Sequence, residues 1–194
     1  MRHQLPQRAF TVVAITAALW LHLAAPVHAN APAEAAEAAL AGKAPRGQSL
    51  FRYWGFEVYV ATLYTTPAFR AEGFEQQRLA LELQYRRAFK GTDIAQRSID
   101  EMQDIAPLAP AQAAEWKAAM ERVFPDVAPG DRLMGVHLPG RGAHFYYNGR
   151  LRGVVDDPVF AERFFGIWLS PRTSQPAMRE TLLQPVAAGA PRTP

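Results

Sequence analysis

The strongest constraint on the fold of this chain is a change of hydrophobic period partway along it. From Arg78 to Arg86 the residues alternate, with Leu79, Leu81, Leu83 and Tyr85 on one side and Ala80, Glu82, Gln84 and Arg86 on the other. A two-residue period belongs to a half-buried strand. Past Gly91 the apolar positions become Ile94, Ala95, Ile99, Met102 and Ile105, which lie along one stripe of a helix. Most charges in that stretch are expected on other sides of the helix, and Thr92 is expected to cap it. Pro107 and Pro110 stop it. Pro110 can open a second helix, read over Ala111 to Phe124 and closed by Pro125.

Strand signals flank the helical pair. Ser49 to Trp54 and Phe56 to Thr65 are rich in aromatic and β-branched residues around Gly55, and read as paired strands or one bent strand. In the second, Phe56, Val58, Val60, Thr62 and Tyr64 share one face, and Tyr59, Ala61 and Leu63 the other. Downstream, Arg132 to Leu138 and Ala143 to Tyr147 read as strands, and Asn148-Gly149 is a strong hairpin signal leading into Arg150 to Val155. Asp156 or Asp157 is placed to cap a helix carrying Pro158, Phe160, Phe164, Ile167 and Trp168, which Ser170-Pro171 ends. Ser174 to Leu183 reads as a last short helix. Strands, two helices, a three-strand meander and more helices make segregated blocks. They predict an α+β fold on an antiparallel sheet.

The ends read differently. Arg2 and Arg8, the apolar run from Ala9 to Ala25, and Val27-His28-Ala29 predict a signal peptide over 1–29, cleaved after Ala29, and so a periplasmic or secreted protein. The rival reading is an uncleaved anchor, but the run is short for a span of roughly 20 apolar residues, and no stable membrane anchor is expected after cleavage. Residues 30–45, mostly Ala with Pro and Glu, read as a mobile linker. Residues 46–184 form one domain, and 185–194 read as a disordered tail.

Cleavage changes the charge argument. The chain has 21 Lys and Arg against 18 Asp and Glu; removing Arg2 and Arg8 leaves 19 against 18. With no basic run either, nucleic acid is not an expected partner. The absence of cysteine excludes a lipid-modified cysteine, a disulfide scaffold and a cysteine nucleophile. The fold must therefore be held by its core.

Candidates for chemistry are few. No phosphate-binding loop, dinucleotide fingerprint or nucleophile elbow occurs, and no cofactor is expected. His137 and His144 sit on adjacent predicted strands and could face each other, but zinc would need a third ligand. Locally bonded sheet histidines are the preferred reading, so no metal is assigned. Asp156-Asp157 is explained by capping. Arg52 and Arg86, within predicted strands, either point to solvent, the preferred reading, or reach into an apolar cleft, where a guanidinium would bind an anionic group bidentately.

Taken in order, several segments resemble bacterial chalcone-isomerase-like proteins. They are Gly47-Gln48, Tyr53 through Tyr64, Leu81 to Tyr85, Gly91 through Ala95, Ser98 through Met102, Asn148-Gly149, Phe160-Ala161, Phe164 through Pro171, and Leu182-Leu183. The resemblance runs from about Pro45 to Leu183. It implies an open-faced β-sandwich, a large antiparallel sheet covered on one face by helices, with a ligand cleft between them. Plant members close chalcones to flavanones, and other members bind fatty acids. Carried over residue by residue, the plant catalytic threonine of the main strand falls on Tyr59. The helix tyrosine and asparagine fall near Ile94 and Glu101, and the threonine of the C-terminal helix near Arg163. The plant arginine falls on Arg46 or Arg52. Most of the catalytic set is therefore unmatched. The resemblance then implies an exported protein, not catalytic for chalcones. It would bind a small apolar ligand with an anionic head, a fatty acid or phenolic, through Arg52, Tyr59 and Arg163. The alternatives are an intramolecular lyase or isomerase acting on an enone, with Tyr59 as its acid or base, and an accessory protein with a closed cleft.

Overall fold

The computed structural model describes residues 39–184. Six strands form one antiparallel sheet whose spatial order is the order of the chain. They are β1 (Ala44–Tyr53), β2 (Phe56–Thr65), β3 (Leu79–Tyr85), β4 (Arg132–Leu138), β5 (Gly142–Tyr147) and β6 (Arg150–Val155). The helices are α1 (Gly91–Ile105) and α2 (Pro110–Val123) between β3 and β4, then α3 (Pro158–Leu169) and α4 (Pro176–Leu183) after β6. The α+β architecture expected from the block order is the one observed.

The two faces of the sheet have different covers. Ala61, Leu63, Leu81, Leu133 and Phe145 look toward the helices and pack with Met102, Met120, Phe160 and Phe165 in one continuous core. Burial of these side chains removes apolar area from water at about 25 cal/mol per Å² and is the main source of stability. Aromatic edges fill the middle of that core. Phe145 meets Phe164 at 5.2 Å and 90°, and Phe124 at 5.1 Å and 83°. On the opposite face Ala80, Met134, Val136 and Tyr146 form a smaller cluster closed by Ala39, with Leu40 against it. The segment read as a linker through residue 45 therefore departs from expectation at its end. Ala39 and Leu40 are helical and pack on the sheet, and Ala44 and Pro45 already belong to β1. A methyl and one Leu suffice because the sheet offers an apolar face there.

Both two-residue β-hairpins close with positive φ at each residue, the pattern of a type I′ turn, which follows strand twist. One is Asn148-Gly149 (φ 47° and 82°), as the sequence predicts; the other is Trp54-Gly55 (φ 52° and 80°). Proline stands in the first turn of α2, α3 and α4, where its missing N–H costs nothing. Asp157 caps α3, accepting from Phe160 N–H at 3.0 Å, and also accepts the indole N–H of Trp116 at 2.8 Å.

Thr92 does not cap α1. That helix begins at Gly91, whose N–H donates to Asp126 Oδ1 at 3.0 Å, while Lys90 donates to Asp126 Oδ2 at 2.7 Å. The cap arrives from the loop after α2 because the backbones meet here. A Cβ on Gly91 would lie 2.2 Å from the Phe124 carbonyl oxygen. Gly47 plays the same part in β1, where a Cβ would lie 2.3 Å from the Leu182 carbonyl oxygen of α4.

Candidate functional site

The site is a cavity of about 340 Å³ between the sheet and the helices. Its floor is Tyr59, Leu83, Tyr85 and Leu133. Its cover is Ile94 from α1 with Phe164, Ile167 and Trp168 from α3. Polar side chains gather on α1 and beyond it: Asp93, Arg97, Ser98, Glu101 and Gln175. Phe51 and Tyr53 of β1 complete the lining on the side of the first hairpin.

A bulge shapes the floor. Phe51 pairs with Tyr59 but Arg52 pairs with Glu57, so Val58 is an extra residue opposite a continuous β1. Strict alternation would put Val58 and Tyr59 on opposite faces, yet both line the cavity. Bulges re-aim side chains in this way next to binding sites. Tyr59 lies directly across from Tyr85 on β3, with ring centroids 6.1 Å apart and edges meeting at 73°.

Tyr59 accepts a hydrogen bond from Trp168 Nε1 at 3.2 Å. Burial pushes its phenol up to about 12, against smaller opposing effects of the Trp168 bond and Arg97. Burial likewise raises Tyr85, which the neighbouring Tyr59 reinforces. Both are neutral hydroxyls at physiological pH. Neither has an acceptor for its proton among the described residues, so two donors remain for a ligand oxygen.

The rim is an ion pair. Arg97 Nη2 donates to Glu101 Oε1, and Ser174 Oγ donates to Glu101 Oε2 at 2.6 Å. The Glu101 side chain is only 10% exposed while that of Arg97 is 58% exposed, so the carboxylate is the fixed member. Ser98 Oγ is turned back onto the Ile94 carbonyl at 2.8 Å.

Of the residues carried over from the resemblance, Tyr59, Ile94 and Glu101 line the cavity. Arg52 and Arg163 do not. Arg52 is exposed and donates to Glu57 Oε1 at 2.9 Å across the end of the first hairpin, on the far side of the bulge. Arg163 is half-buried on α3, outside the lining. Arg46 donates to the Leu183 carbonyl at 2.9 Å, and Arg86 is exposed. The arginine that reaches the cavity is Arg97. Most charges of this helix are expected away from its apolar stripe, yet Ile94, Arg97, Ser98 and Glu101 follow the i, i+3, i+4, i+7 spacing of a single helix stripe. That spacing was the available signal. Trp168 and Tyr85 stand on the apolar sides of a helix and a strand, where a cavity lining and a core look alike in sequence.

The two histidines do not meet. In the β4–β5 register His137 stands opposite Ala143, and His144 opposite Val136, so they occupy opposite faces. His137 bonds the Gln77 carbonyl at 2.9 Å and lies edge-on to Phe165.

A family profile described as chalcone isomerase-like matches residues 26–184. An uncharacterized protein of Haemophilus influenzae is 28% identical over 139 residues, 72% of this chain and 67% of that protein. The crystal structure of an Arabidopsis thaliana fatty-acid binding protein superposes with a TM-score of 0.58 at 11% identity, covering 73% of this chain and 87% of that one. At that identity the likeness bears on the fold alone.

Proposed function

Because this chain belongs to the chalcone isomerase-like family, we propose that it is a binding protein, not a chalcone isomerase, and holds one small apolar ligand by its body and by a single polar head. The cavity itself carries this reading. About 340 Å³ of largely apolar space lies at the lower end of the ~300–1,000 Å³ of small-molecule pockets. That suits one short acyl chain or a phenolic of one or two rings. The fatty-acid binding named for the Arabidopsis structure supports the same class of ligand.

The head group is met by hydroxyls. A ligand oxygen in the cavity would accept from Tyr59 and Tyr85, whose protons are otherwise unused. Arg52, the arginine the resemblance offers, is committed to Glu57 outside the cavity. An anionic head would have to draw on Arg97, already engaged by Glu101. Export belongs to the proposal and rests on the signal-like pattern of residues 1–29; among the described residues no helix is long and apolar enough to cross a membrane.

Native mass spectrometry of protein recovered from the periplasm tests this directly. A co-purified small molecule, or mass shifts with dodecanoic acid or a simple phenolic, is the expected result. Tyr59→Phe should weaken binding about 5–10-fold, the worth of one hydrogen bond. No bound species and no shift with either probe would overturn the reading and leave an accessory role in its place.

The position of Tyr59 keeps a second reading open, an isomerase acting on an enone. A neutral phenol there could protonate a developing enolate. Absorbance-monitored turnover of a chalcone separates the two readings.

A further inference from the structure

The tip of the β1–β2 hairpin carries three aromatic side chains in the open. Tyr53, Trp54 and Phe56 are 56%, 85% and 61% exposed. Large apolar side chains clustered at one exposed point mark an interaction site.

The backbone adds an independent observation. Trp54 has φ +52°, in the left-handed region that a bulky residue rarely adopts. The other two-residue hairpin of the sheet fills the same position with Asn148, the residue that suits it, and bonds its side chain to Arg132 N–H and to Asp131. The exposed indole meets only the equally exposed Tyr53 ring, 6.2 Å away between centroids, and brings no turn propensity, so the residue at position 54 is not chosen for the turn. Backbone strain of this kind persists where a side chain has work outside the fold.

The charge around the tip selects the partner. Arg87 lies over the Phe56 ring at 4.7 Å, and Arg86 beside it is exposed. Arg52 is balanced by Glu57, which leaves an excess of positive charge. Three aromatic side chains offer at most about 450–750 Å², less than the roughly 800 Å² per side of a standard protein interface. Aromatic rings with arginines behind them instead match the level of lipid headgroups, with the rings among the acyl boundary and guanidiniums at the phosphates. Tyr53 also lines the cavity, so a tip seated on a bilayer holds the cavity against it.

We propose that this hairpin tip is a peripheral binding site for an anionic lipid surface, with Trp54 and Phe56 dipping into the interface and Arg86 and Arg87 at the headgroup phosphates. Contact of this size is reversible and is independent of what the cavity holds.

The test uses soluble protein expressed from the full sequence, its Trp54→Asn variant, and vesicles of phosphatidylethanolamine with phosphatidylglycerol, beside neutral phosphatidylcholine vesicles. Every variant shares the N-terminal segment, so its contribution cancels. The wild type should co-sediment with the anionic vesicles and much less with the neutral ones. The blue shift of its tryptophan emission should exceed that of Trp54→Asn, because Trp54 is exposed, Trp116 and Trp168 are buried, and Trp20 is shared by both proteins. Trp54→Asn should bind about ten-fold more weakly, the loss expected for one aromatic leaving the interface. The same variant should melt no lower than the wild type, because Asn suits the turn. That opposed pair of results excludes misfolding as the cause. Equal sedimentation of the two proteins, equal binding to neutral vesicles, a blue shift undiminished by the substitution, or a lower melting temperature for Trp54→Asn would each overturn the proposal. Absence of vesicle binding would overturn it as well and assign the tip to a protein.

Discussion

Tyr59 joins the strand, the bulge and the cavity in one side chain. Its phenol in an unfolded chain titrates near its ordinary value of about 10, while burial holds it near 12 in the fold. Between those two values the unfolded chain has released the proton and the folded chain keeps it. Stability gained from this group is therefore complete below about pH 10 and is lost as pH rises toward 12. The loss should be on the order of 1–2 kcal/mol, less than the full shift implies because part of the ring faces the cavity and the water it admits. Urea unfolding at neutral and at alkaline pH checks it. Tyr59→Phe should remove this component of the alkaline slope, leaving that of Tyr85, and an unchanged slope would place the hydroxyl in water. Tyr59 and Glu101 were legible from the family pattern, whereas Arg97 was not. Sorting residues by charge sends Arg97 to solvent, whereas its spacing from Ile94 and the packing of α1 over the floor put it on the cavity stripe.

At the scale of elements, helix ends show where local sequence suffices. Asp157, Pro158 and the apolar run behind them specify the start of α3 without help. Asp157→Ala should cost about 2–3 kcal/mol, since it removes a cap worth about 1 kcal/mol and leaves the buried Trp116 N–H without an acceptor. Thermal or urea unfolding measures this; a change under about 0.5 kcal/mol, the size of an ordinary surface substitution, would show that water replaces the carboxylate at no cost. The start of α1 is the contrary case. Thr92 had the right chemistry, but its role passed to Asp126, 34 residues further on, because the close approach of Gly91 to Phe124 is tertiary. The limits of β2 through β6 were readable to within a residue, but β1 begins at Ala44 where the sequence pattern begins at Ser49, and the Val58 bulge was not readable, since it appears only when β1 and β2 are set in register.

Across the whole molecule the sheet has a main cover and a lesser one. A chain beginning at Ala44 would lack Ala39 and Leu40 and uncover Met134, Val136 and Tyr146. The expected result is a loss of about 1–2 kcal/mol, a melting temperature lower by roughly 2–8 °C, and new binding of a hydrophobic dye. Unchanged melting and no dye binding would mean that the lesser cover is dispensable. The antiparallel platform and its helical cover were legible because the hydrophobic period changes at their boundaries. The lesser cover was missed because two small apolar residues in an alanine-rich stretch look alike whether packed or free.

The strands lie in the sheet in the order in which a ribosome makes them, and α3, which carries Phe164, Ile167 and Trp168, follows the last of them. The floor is thus synthesised before its lid. Nothing can be sealed inside until the final forty residues or so have emerged, and until then only α1 can stand over the Tyr59–Tyr85 surface. A guest molecule that meets the nascent sheet at that stage has no narrow entrance to pass. On the proposed ligand-binding reading, occupancy would then depend on what is nearby when α3 closes over the floor, as well as on what diffuses in afterwards.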